Sequence, residues 1–112
     1  LTELVGSSRA KDIMFSARFM AADEAFQMGL VNRVCEIDEL ESAVRDYAAL
    51  ITANAPLTVK AAKAAINEAV KDPSSRDLGS ISLMINACFD SDDYKEGRAA
   101  FKEKRKPEFK GS

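Results

Sequence analysis

Between Tyr94 and Ser112 the sequence sets Lys95, Arg98, Lys102, Lys104, Arg105, Lys106 and Lys110 against Glu96, Glu103 and Glu108, with Phe101 among them. That is seven basic and three acidic residues, a net of +4, following a body of 9 basic and 15 acidic residues, a net of −6. Ammonium and guanidinium groups gathered this way suit an anion, and a small phosphorylated ligand is the best match. A solvated helix face with a frayed end is the ordinary meaning of such a run. A nucleic-acid surface would show a basic domain face with stacking aromatics, and the acidic body argues against one.

The other chemistry is bounded by what is missing. The 112 residues include no histidine, so no Ser-His-Asp or Cys-His constellation, His general base or His metal ligand exists in them. Acid–base work would fall to carboxylates, lysines or the two tyrosines, and neither Tyr47 nor Tyr94 has a basic or nucleophilic neighbour that would suggest catalysis, so both read as structural. Cys35 and Cys88 are too far apart for a CxxC pair or a metal cluster. They are expected as buried, reduced thiols of a cytoplasmic protein. No apolar run reaches the roughly 18 residues of a membrane span, and residues 1–6 have no signal-peptide character. Without a starting Met, the chain is expected to begin inside a longer gene product.

The elements that must position the basic run read almost wholly as helices. Ser7 and Ser8 can cap a first helix with Ala10, Ile13, Met14 and Ala17 on one face. A short second helix follows Arg18-Phe19-Met20 and ends at Gly29 as a C′ glycine. Residues 30–35 are the one plausible extended segment, too short to define a sheet. Asp38, with Glu41 three residues on, predicts a capped helix running to about Asn54. Pro56 stops it and starts an alanine-rich helix, on whose polar side Lys60 and Lys63 are solvated. Asp72 to Ser75 is a turn. The helix from about Arg76 to Asp90 is apolar around much of its circumference, which predicts burial on more than one side. Ser91 caps the last helix, running to about Lys104, with Pro107 marking its end. The fold class is therefore all-α, about six short helices with one short extended link.

Three segments in this order carry a resemblance. They are Leu4-Val5-Gly6 with Ala22-Asp23-Glu24-Ala25 and residues 28–34, then Asn54-Ala55-Pro56-Leu57 leading into residues 60–63, then residues 91–109 with Glu96-Gly97, Ala100-Phe101 and Glu103-Lys104-Arg105 before Pro107 and Phe109. Together they resemble the C-terminal part of the enoyl-CoA hydratase/isomerase (crotonase) family, across essentially the whole chain.

The resemblance implies that residues 1–112 are a helical trimerisation and CoA-covering domain. It implies that the catalytic N-terminal domain of ββα repeats, with its oxyanion-hole amides and two glutamates, lies before Leu1. No catalytic residue and no metal ligand is then expected here. Neither Glu3 nor Glu24 falls at a catalytic position of the family. The implied CoA contacts are Phe101 and Lys104, with Lys102, Arg105 and Lys106 adding to the field. Met84, Ile85 and Phe89 are candidates for the acyl pocket, although ordinary packing explains each one singly. Gly97 reads as a close-packing position. The implied activity is water addition to a 2-enoyl-CoA in fatty-acid-type degradation, with a coenzyme A thioester as substrate and no cofactor. The implied partners are the acyl-CoA, the missing N-terminal domain and further copies, as a trimer or a dimer of trimers, with no nucleic acid and no membrane. An isomerase or other crotonase-type reaction, or a non-catalytic oligomerisation module, is the alternative.

Overall fold

The computed structural model describes residues 1–112 and contains six α-helices, one 3₁₀ turn and no strand. The all-α class expected from the periodicity is the class found. Two compact units divide the chain, Leu1–Ala43 and Val44–Ser112.

In the first unit, α1 spans Thr2–Ser16 and is broken at Gly6, whose φ of 79° and ψ of 164° are not helical. Glycine reaches that conformation without a Cβ penalty. The regular part of α1 thus follows Gly6, close to the start expected at Ser7 and Ser8. Val5 and Ala10 are buried. α2 spans Ala22–Gln27, and Gly29 follows it at φ 77°. The Leu30 N–H reaches back to the Ala25 C=O at 2.9 Å, the closure that a C′ glycine makes possible. Arg18 joins the two helices, donating to both Glu24 oxygens and to Asp12 at 3.3 Å. Residues 30–35 pair with nothing as a strand. Cys35 lies exposed among them, and Cys88 is only partly covered. The expected burial of both thiols is corrected, because the helices of this chain leave no enclosed core for them.

α3 spans Leu40–Thr52. It starts one residue later than a cap at Asp38 requires, because the Glu39 C=O accepts the first helical bond, from the Ala43 N–H at 2.9 Å. Its far end stops at Thr52 rather than Asn54. The Asn54 amide donates to the Leu50 C=O at 2.6 Å, satisfying a carbonyl of the last turn.

In the second unit, α4 spans Pro56–Ala69 with Pro56 in its first turn, where the missing N–H costs nothing. Arg76 caps its far end, donating to the Ala69 C=O at 2.9 Å and the Lys71 C=O at 3.2 Å. Asp72 folds the connecting 3₁₀ turn Pro73–Ser75 by accepting the Ser74 N–H at 2.9 Å. α5 spans Leu78–Asp90, with Asp77 as N-cap accepting the Ser80 N–H at 2.9 Å. Ser91 then caps α6, Asp92–Glu103, accepting the Tyr94 N–H at 3.1 Å and donating to the Cys88 C=O at 2.7 Å.

Each unit buries few apolar residues: Val5 and Ala10 in the first, Ala61 and Ala100 in the second, and no large side chain is fully enclosed. α5 buries no residue, and Leu83 on it is 71% exposed. Accessible surface totals 9155 Å². A self-contained protein of 12.2 kDa would expose about 6,100 Å². The extra-apolar helix at 78–90 is covered by the chain itself only in part, at Ile81, Met84 and Cys88. No helix is long and apolar enough to cross a membrane.

Candidate ligand groove on the last helix

Helical periodicity gives α6 two faces with different tasks. Asp93, Glu96, Gly97 and Ala100 share the first face at spacings of three and four. The chain beyond Arg105 runs back along it. Asp93, 3% exposed, accepts the Lys110 N–H at 2.6 Å and the Gly111 N–H at 2.8 Å on its two oxygens. Glu96 accepts the Arg105 guanidinium at 2.5 and 2.8 Å and the Glu108 N–H at 2.8 Å. The Ser112 C=O takes the Asp92 and Asp93 N–H groups at 2.8 and 3.1 Å, two of the orphan donors of the first turn. Phe109 lies where a Cβ on Gly97 would meet its ring at 3.5 Å. The basic run is thus docked rather than frayed, and part of its charge is already engaged. Arg105 pairs with Glu96 and with Glu103 at 2.6 Å, and Lys95 pairs with Asp92 at 2.6 Å.

The second face carries Tyr94, Arg98, Phe101 and Lys102. With Ala61, Ala62 and Ala65 of α4 and Ile85, Cys88 and Phe89 of α5, it lines an open groove of about 820 Å³. The alanines keep the α4 wall flat. The Phe89 and Tyr94 rings meet edge to face, 5.2 Å between centroids and 78° between planes, the geometry that aromatic quadrupoles favour. The Arg98 guanidinium carbon sits 5.9 Å from the Tyr94 centroid, within cation–π range. Phe109 of the returning chain also lines the groove.

Of the residues picked from sequence, Phe101, Ile85 and Phe89 come together in this groove, and Phe101 is 87% exposed. Met84 is partly covered and lies outside the lining. Lys104 is also outside it, at the C-cap of α6 with φ 54° and ψ 38°. An L-residue in that left-handed conformation costs roughly 1–2 kcal/mol relative to glycine. Its N–H bonds the Ala100 and Phe101 carbonyls. Lys102, ranked below Lys104 from sequence, is the lysine on the groove wall. The spacing of Tyr94, Arg98, Phe101 and Lys102 held that signal, since positions i, i+4, i+7 and i+8 share one face.

The carboxylates that bear shifts are poor proton shuttles. Arg105 and the Glu108 amide hold Glu96 down at about 2. Arg18 lowers Glu24, and Lys71 with the Asp77 amide lowers Glu68. A general base near neutral pH needs the opposite shift. The arrangement offers an aromatic face, an apolar wall and cations.

A family model described as enoyl-CoA hydratase/isomerase matches residues 1–112. A short-chain-enoyl-CoA hydratase of Clostridium acetobutylicum is 41% identical over 108 residues, covering 96% of this chain and 41% of that protein. A methylmalonyl-CoA decarboxylase of Escherichia coli is 37% identical over 114 residues, covering 99% and 43%. The crystal structure of enoyl-CoA hydratase from Mycobacterium tuberculosis matches with a TM-score of 0.87 at 30% identity, over all of this chain and 44% of that one. The chain thus spans about two fifths of the length of these proteins.

Proposed function

The chain belongs to the enoyl-CoA hydratase/isomerase family, and from that premise we propose that it is the C-terminal part of an enoyl-CoA hydratase. Its all-helical fold is that of the helical domain in crotonase-fold structures. In this reading the segment serves assembly and CoA contact, and an N-terminal domain supplies the glutamates and backbone amides that add water to a 2-enoyl-CoA. The protein works as a soluble cytoplasmic enzyme of fatty-acid-type degradation, with no cofactor beyond its thioester substrate.

The observation that carries the reading is the end of α6. An almost fully exposed phenylalanine there stands beside Lys102 and one turn from Lys104, neither of which has a carboxylate partner. Adenine against Phe101 and a phosphate against a lysine would satisfy both groups. Met84, Ile85 and Phe89 are placed toward the acyl chain. The surplus surface of about 3,000 Å² is the size of an obligate interface, which supports cover by the N-terminal domain and by further copies in a trimer or dimer of trimers.

The test uses the protein as encoded. Crotonyl-CoA hydration should proceed, and Phe101→Ala and Lys104→Ala should each raise KM several-fold with kcat nearly unchanged, the signature of lost uniform binding. Unchanged KM in both variants discards the CoA contact. The isolated 112-residue segment should hydrate nothing, and robust hydration by it would overturn the placement of the chemistry elsewhere. The decarboxylase relative favours a second reading, decarboxylation of a branched acyl-CoA. Methylmalonyl-CoA assayed beside crotonyl-CoA separates the two.

A further inference from the structure

Lys104 occupies a backbone conformation that glycine takes freely and lysine does not. Such residues persist where their surroundings over-determine them. Here the residues on both sides of Lys104 are tied to one guanidinium. Arg105 places two nitrogens on Glu96, nine residues back on α6, and its Nε on Glu103 at 2.6 Å. The Arg105 N–H closes on the Ala100 C=O at 3.0 Å. Glu96 is itself held from the other side by the Glu108 N–H. The fork is planar and bidentate, so it fixes direction as well as distance.

We propose that Glu96 and Arg105 are positioning residues, a clamp that holds the Lys104 turn in its left-handed form and so fixes the direction in which the lysine leaves the end of α6. The inference rests on the reading of Lys104 as a CoA contact. The clamp touches no ligand. It acts by removing the freedom that a lysine at a frayed helix end would lose on binding a phosphate. The same turn carries the Lys104 N–H to the Phe101 C=O at 3.3 Å, which ties the two backbone positions together. Arg105 is thereby spent on carboxylates and is not a ligand cation, although sequence alone would group it with Lys104.

A double-mutant cycle in the encoded protein tests this, with CoA affinity measured by calorimetry and folding followed by thermal melting. Lys104→Ala should weaken CoA binding about tenfold, the loss of one charge-assisted contact. Glu96→Gln should weaken it about threefold to fivefold, and the double variant should bind no worse than Lys104→Ala, because coupled residues are non-additive. Arg105→Lys, which keeps the charge and loses the fork, should behave as Glu96→Gln and serves in the cycle if that variant folds poorly. Multiplying effects, or full affinity in both clamp variants while Lys104→Ala is weak, overturns the clamp and leaves the CoA contact standing. Full affinity in Lys104→Ala itself overturns the contact and the clamp together.

Discussion

The Asp93 carboxylate and the Lys110 amide, seventeen residues apart, meet at 2.6 Å on a face of α6 where Asp93 is only 3% exposed. The second Asp93 oxygen takes the next amide, Gly111. One buried side chain thus fixes the direction in which the chain returns over α6, and with it the place of Phe109 in the groove wall. Asp93→Ala leaves two amide donors without acceptors and should destabilise the protein by about 2–4 kcal/mol. Asp93→Asn keeps one acceptor oxygen and should cost less. Thermal melting ranks the variants, and hydrogen exchange at Lys110 and Gly111 should quicken in both. Protected amides in Asp93→Ala would sink the assignment.

Gly97 faces the Phe109 ring from within α6, yet a methyl group there would meet that ring at 3.5 Å, an ordinary contact. The close packing expected from sequence is therefore real but not tight. Gly97→Ala should be neutral or stabilising by up to about 1 kcal/mol, from helix propensity. Gly97→Leu should expel Phe109 and destabilise. A strongly destabilised alanine variant would show that the ring sits closer than the geometry gives.

Glu96 binds the returning chain by charge, so its hold depends on pH. Its folded value is about 2 against an ordinary 4.5. A depressed carboxylate contributes stability above its unfolded value and loses it as pH falls through the folded one. The groups facing it are Arg105, Lys110 and, through Arg105, Glu103. The melting temperature of the parent should exceed that of Glu96→Gln by a constant margin above pH 4.5, and the margin should shrink as pH falls toward 2. A margin that grows on acidification would contradict the ion pair.

What the sequence made legible was local. The cap at Ser91, Pro56 in the first turn of α4 and the C′ role of Gly29 each depend on residues within four positions, and all three stand in the structure. So does the excess apolar character of α5, which periodicity alone reveals. The cap at Asp38 failed because the helix could begin at Leu40 equally well, and small differences in turn geometry decide between the two. Burial of Cys35 failed because burial depends on which surfaces meet. The clamp was hidden for the same reason. Glu96 and Glu108 are twelve residues apart, and nothing in the pattern of charges says which acid Arg105 will choose. Lys102 and Lys104 differ by two positions, but a helix end stands between them, and the left-handed turn sends them to different surroundings.

That turn gives a prediction with two signs. Lys104→Gly removes an L-residue from the left-handed region, relieving roughly 1–2 kcal/mol, and removes a cation from a helix C-terminus, losing about 0.3–1 kcal/mol. The balance favours glycine, so the variant should melt a few degrees higher, as about 1 kcal/mol implies for a protein of this kind. Its CoA affinity should nevertheless fall to that of Lys104→Ala, because the ammonium is gone. A lysine kept only for structure cannot give that pair of results: its replacement by glycine would raise the melting point and leave binding untouched. Higher stability with weaker CoA binding therefore identifies Lys104 as a residue held in a strained conformation for its charge, and unchanged affinity would reduce it to a solvated side chain at the end of α6.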